Sequence, residues 1–105
     1  MAREMLFGDL LREMAGDRKT GALYVSIVEA SEDNVRFYFR NGEIYHLRYG
    51  TAIGKDCLDV LEFYTLNSAS FFDGFAAPDK PAEGLPNTGD IIARISRNPQ
   101  RVKAR

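Results

Sequence analysis

Apolar positions along the chain fall into two alternating rhythms. Leu6, Phe7, Leu10, Leu11 and Met14 lie on one helical stripe, so residues 4–15 are expected to form an amphipathic helix stopped at Gly16. Residues 22–29 are rich in β-branched and aromatic side chains and predict a strand with Leu23, Val25 and Ile27 on one face. A polar turn at 31–34 leads into residues 35–40, which alternate again. Asn41-Gly42 follows, and then a run over 43–49. An Asn-Gly pair between alternating runs favours a two-residue type I′ reversal, because both central residues need positive φ.

That turn sets Arg40 opposite Glu43, Phe39 opposite Ile44, Tyr38 opposite Tyr45 and Phe37 opposite His46. Opposed residues share a sheet face. Val35, Phe37, Phe39, Ile44 and His46 are therefore expected on the core side, and Arg36, Tyr38, Arg40, Glu43, Tyr45 and Leu47 on the other. A longer turn with a bulge would change this assignment.

Residues 55–66 predict a second helix with the stripe Cys57, Leu58, Leu61 and Tyr64. Asn67-Ser68 breaks it, and residues 69–75 suggest a short strand. Residues 76–87, with Pro78, Pro81 and Pro86, read as an ordered loop. Thr88 is the expected N-cap of a third helix carrying Ile91, Ile92 and Ile95 and ended by Pro99. The expected fold class is α+β: an antiparallel sheet of about three to five strands with an N-terminal helix, a central helix and a short C-terminal helix. One domain over 1–97 and a basic tail over 98–105 complete the expected organisation.

Composition narrows the function classes. The chain has 105 residues, 45% hydrophobic and 28% charged, which suits one globular core. Fourteen basic and fifteen acidic residues are interspersed for a net charge of −1, so no broad field concentrates polyanions. Cys57 is the only cysteine, which rules out an intrachain disulfide and a cysteine-cluster zinc site and fits a reducing compartment. No apolar run is long enough to span a bilayer and no signal pattern opens the chain; a cytoplasmic location is expected.

The chemistry-bearing residues are sparse. His46 is the only histidine and has no carboxylate beside it in the expected register, so it is expected to be structural, at a sheet edge or core boundary. Cys57 falls within an apolar helical stripe, where a thiol is inert. Asp56, Asp59 and Glu62 share a helix face and are expected to be solvated. Gly50, Gly54 and Lys55 miss the spacing and the hydroxyl of a phosphate loop. No catalytic, cofactor or metal site is expected, and the chain is expected not to be an enzyme.

Binding surfaces remain. Tyrosine and arginine are enriched at protein-binding hot spots, so Arg36, Tyr38, Arg40, Tyr45 and Leu47 form the candidate protein-binding face. The alternative is a nucleic-acid- or anionic-membrane-binding protein that uses Arg36, Tyr38, Arg40 and Tyr45 for stacking and phosphate contacts. Its other candidate polyanion site is the basic C-terminal series Arg94, Arg97, Arg101, Lys103 and Arg105. The balanced charge disfavours nucleic acid.

The order of features resembles the PATAN (PatA N-terminal-like) domain family of bacterial signalling proteins. The resemblance is carried by Leu10-Leu11, by Arg18-Lys19-Thr20-Gly21-Ala22-Leu23, and by the stretch from Phe37 through Asn41-Gly42-Glu43-Ile44 to His46. Gly54, Leu58, Leu61, Phe71-Phe72 and Leu85-Pro86-Asn87-Thr88 follow its layout, while Leu47 and Asn67-Ser68 depart from it. It implies an α+β domain without catalytic residues or cofactor, linked to motility and cell polarity. The implied role is that of an adaptor acting in trans on a response regulator, a small GTPase or its regulator, or a pilus motor component. A homodimer through an apolar helix or sheet edge is a further expectation.

Overall fold

The computed structural model describes residues 3–30, 33–74 and 81–104. Among them, seven strands form one sheet and three helices pack against it. In chain order the elements are β1 (Arg3–Leu6), α1 (Phe7–Gly16), β2 (Gly21–Ile27), β3 (Asn34–Arg40), β4 (Glu43–Tyr49), β5 (Ala52–Ile53), α2 (Lys55–Leu61), β6 (Leu66–Asp73), α3 (Thr88–Ser96) and β7 (Arg101–Ala104). The sheet order is β1-β7-β6-β2-β3-β4-β5, antiparallel throughout except for the parallel pair β6 and β7.

The α+β class stands, but the expected antiparallel sheet of about three to five strands is replaced by a mixed sheet of seven. Three of the strands are too short to announce themselves. β5 has two residues, and β1 and β7 have four each. β1 occupies what periodicity assigned to the first turn of the helix, so α1 begins at Phe7. Its residues Met5 and Leu6 suit either element, and pairing with β7 decides the matter.

Residues 101–104, expected in a basic tail, form β7. Val102 is 1% exposed and lies in the main core with Ala104, while Arg101 and Lys103 alternate outward. Gln100 holds the strand in place. Its carbonyl accepts from the Phe7 N–H at 2.8 Å, its Oε1 accepts from the Leu66 N–H at 2.8 Å, and its Nε2 donates to the Tyr64 carbonyl at 3.1 Å. Arg105 and residues 75–80, including Pro78, lie outside the described residues.

The helical stripes behave as their periodicity requires. Phe7, Leu10, Leu11 and Met14 of α1, Cys57, Leu58 and Leu61 of α2, and Ile91 and Ile92 of α3 all enter one core with Leu23, Val25, Val35, Phe37, Phe39 and Leu47 of the sheet. Phe7 and Phe37 meet edge to face at 5.3 Å, the arrangement that aromatic quadrupoles favour. All three helices therefore cover the same face of the sheet. α2 ends at Leu61, short of the expected residue 66, and Asn67-Ser68 lies inside β6. Asn87, not Thr88, caps α3: its side chain accepts from the Asp90 N–H at 2.8 Å. The Thr88 hydroxyl is instead spent on β4, accepting from the Ile44 N–H at 2.9 Å.

The Asn41-Gly42 reversal forms with positive φ at both residues, 52° and 84°. It is anchored under α1, where the Gly42 N–H donates to the Lys19 carbonyl at 2.8 Å and the Asn41 N–H to the Thr20 hydroxyl at 2.9 Å. A Cβ at Gly42 would sit 2.5 Å from the Ala15 carbonyl oxygen, so any larger residue would lever the turn off the helix.

Beyond that turn the expected register fails. Phe39 does face Ile44, but Tyr38 faces His46 and Phe37 faces Leu47, with a β-bulge between. Tyr45 is the extra residue. His46 and Leu47 thus exchange faces relative to expectation. The physical reason is burial: Leu47, 0% exposed, gains the full apolar transfer of about 2 kcal/mol. Seated there, His46 would have needed partners for both ring nitrogens in an apolar core.

Two substitutions test the placement of β7. Val102→Ala is expected to lower unfolding stability by about 2 kcal/mol, as removal of buried methyl groups does. Lys103→Ala should stay within about 0.5 kcal/mol. Chemical denaturation midpoints measure both, and a flexible tail would show no effect from either.

Candidate functional site

The face opposite the helices carries the remaining side chains of β2, β3, β4 and β6. Register places them in rows. Ser70, Tyr24, Arg36 and Arg48 lie side by side across four strands, and Phe72, Ala22, Tyr38 and His46 form the next row. At about 4.8 Å per strand each row is roughly 14 Å long.

The expected protein-binding residues divide on this geometry. Leu47 belongs to the main core and is not on the surface. Tyr38 and Tyr45 are buried, forming with Ala22 a small second cluster against which Tyr24 packs. Arg40 is exposed, with its guanidinium 4.3 Å from the centre of the Tyr45 ring; Arg36 is half-buried, 5.0 Å from that of Tyr24. Both distances suit cation–π attraction.

Three residues absent from the expected site complete the face. Tyr24 is half-buried and meets Phe72 edge-on at 5.1 Å, and Phe72 remains 49% exposed. Arg48 stands directly opposite Arg36, exposed, with its Nε donating to the Gly50 carbonyl at 3.3 Å. Tyr24 was accessible from alternation in β2, since it falls between the core residues Leu23 and Val25. Arg48 could not be placed without the bulge.

The expected polyanion-binding series is scattered. Arg94 bridges α3 to α2, donating from Nη2 to Asp59 at 2.6 Å and from Nε to Glu62 at 2.8 Å. Those two hydrogen bonds raise its pKa further. Asp59 and Glu62, expected on a solvated face, therefore hold a helix pair together. Arg97 is exposed just beyond the end of α3, and Arg101 and Lys103 are exposed on β7.

The single histidine and the single thiol are both buried. His46 is 8% exposed, packs edge-on to Tyr38 at 5.7 Å, and its Nδ1 has no hydrogen-bond partner among the described residues. Burial, reinforced by the charge of Arg48, lowers its pKa. Cys57 is buried in the main core, and burial pushes its thiol up to about 12. Among the described residues no three histidine, cysteine or acidic side chains converge as metal donors, and no helix is long and apolar enough to cross a membrane.

Both groups give predictions. Because the folded protein lowers the His46 pKa, the unfolded chain binds that proton more readily. Its contribution is therefore complete above the unfolded value of about 6.5 and declines as pH falls below it toward the folded value. His46→Gln should flatten that limb of the stability profile, measured by denaturation between pH 7 and 4. The Cys57 thiol should resist iodoacetamide at pH 8 in the native protein and react promptly in denaturant, with mass spectrometry as the readout.

No family model, curated protein or solved structure matches this chain.

Proposed function

We propose that this chain is a non-enzymatic protein-binding domain, an adaptor in bacterial signal transduction that engages its partner through the sheet face opposite the helices. One observation carries the reading: all three helices occupy one face of the sheet, and the other offers Tyr24, Arg36 and Arg48 in one row with Phe72 in the next. Phe72 is half exposed although it belongs to a regular strand. Aromatic and arginine side chains are the composition of binding hot spots.

The sequence resemblance to PATAN domains suggests the partner class: a response regulator, a small GTPase or its regulator, or a pilus motor component, met in trans and in the cytoplasm. Stacking of nucleic-acid bases is the less favoured use of the same face. Arg36 and Arg40 already stand over the Tyr24 and Tyr45 rings, where a base would have to lie.

The experiment is quantitative capture of partners from a lysate of the source organism. Phe72→Ser and Arg36→Ala, separately and together, are expected to weaken capture of the same partner by about tenfold or more, as loss of central anchors does. Arg12→Ala, on the helical side, should leave it unchanged. Undiminished capture by the folded double variant would refute the sheet face as the binding surface.

A further inference from the structure

Arg36 and Arg48 are directly opposed in the β3–β4 ladder, an arrangement in which like charges repel. No acidic side chain forms an ion pair with either among the described residues, although four such contacts occur elsewhere. Both side chains are nevertheless held in place. Arg36 rests over the Tyr24 ring, and Arg48 is tethered to the Gly50 carbonyl. The Arg48 tether is made through Nε, and Arg36 meets the ring through the face of its guanidinium. The pair faces a cleft of about 220 Å³ together with Asn34, Asp33 and the Gly50 backbone.

We propose that this arginine pair is a carboxylate-binding subsite that takes an aspartate- or glutamate-bearing segment of a partner protein, laid along the row with an apolar side chain on Phe72. An anion between the two guanidiniums converts their mutual repulsion into attraction on both sides. Arginine's planar fork also suits a carboxylate better than a point charge does. Because the Tyr24 ring and the Gly50 carbonyl pre-orient the two side chains, little rotamer freedom is lost on binding. The position of Phe72, one row away and in edge contact with Tyr24, gives the segment an apolar anchor beside its acid.

Asp33 sets the extent of the site. Asp33 lines the same cleft, so a long run of phosphates would meet a negative residue at that end. A single acid spans less of the cleft and is met there by two cations against one anion. The inference rests on the sheet-face reading and specifies the chemistry of what binds there.

The test is an NMR titration of the full, isotope-labelled chain with a short peptide of alternating glutamate and phenylalanine. Its lysine–phenylalanine counterpart and oligothymidylate are titrated alongside. The glutamate peptide is expected to give saturable shifts at the Arg36 and Arg48 Nε–H and at the Tyr24 ring. Arg36→Glu/Arg48→Glu should weaken it by about tenfold or more and bind the lysine peptide in preference. Arg36→Gln/Arg48→Gln removes the charge without adding acid and should also lose the glutamate peptide, which keeps the test decisive if the reversed pair fails to fold.

Absence of saturable shifts in the wild type, equal affinity in a folded variant, or tighter binding of oligothymidylate at the same resonances overturns the proposal. In the capture experiment, loss with Phe72→Ser but retention in both arginine variants would overturn the acidic partner and leave the sheet face standing. Retention in every variant would overturn both.

Discussion

A single surplus residue in β4 decides how the two faces of this protein differ. Tyr45 is not matched across the ladder, so every position after it changes side. Leu47 goes to the helices, and Tyr45 and His46 remain together on the opposite surface. Without the bulge the histidine would sit among Phe37 and Phe39, and the arginine at position 48 would not meet Arg36. The aromatic and basic character of the outer face is therefore a product of register and not only of composition. A one-residue slip inverts a whole strand, and here it is held by Leu47 burial on one side and the Tyr38–Tyr45 cluster on the other.

The helical side acts as the support that keeps this register fixed. Gly42 is pressed against the C-terminal turn of α1, Thr88 at the start of α3 binds the backbone at Ile44, and Arg94 ties α3 to α2 through two carboxylates. Each contact reaches from a helix to the hairpin or to another helix. An exposed ion pair alone contributes little, about 0–1 kcal/mol, so the Arg94 bridge serves alignment more than stability. The buried apolar layer of Phe7, Leu11, Phe37, Leu58 and Ile91 supplies the energy.

Much of this was readable from residue order. The helical stripes, the Asn41-Gly42 reversal and strands β2, β3 and the start of β4 follow from periodicities of 3.6 and 2. What was not readable shares a physical cause. A bulge adds one residue without altering local composition, so Tyr45 gives no sign that it is surplus. β7 alternates over only four residues, and its two cations suggest a solvated end unless pairing with β1 and β6 is known. The same ignorance hid part of the candidate site. Tyr24 was legible from the alternation around Leu23 and Val25, whereas Arg48 and Phe72 acquire significance only once four strands are laid side by side. Tyr38 and Tyr45, conspicuous in sequence, are interior.

The position of β7 orders the events of assembly. β1 enters the sheet solely through β7, its only neighbour, and β7 needs β6 on its far side. β1 precedes β7 in the chain and stays unpaired until β7 follows. Contacts of such wide sequence separation slow folding, since the loop they close has to be ordered before they repay it. Until β7 is in place, the β6 edge is open and β1 lacks the strand it pairs with. That interval is when the protein is most exposed to wrong pairing.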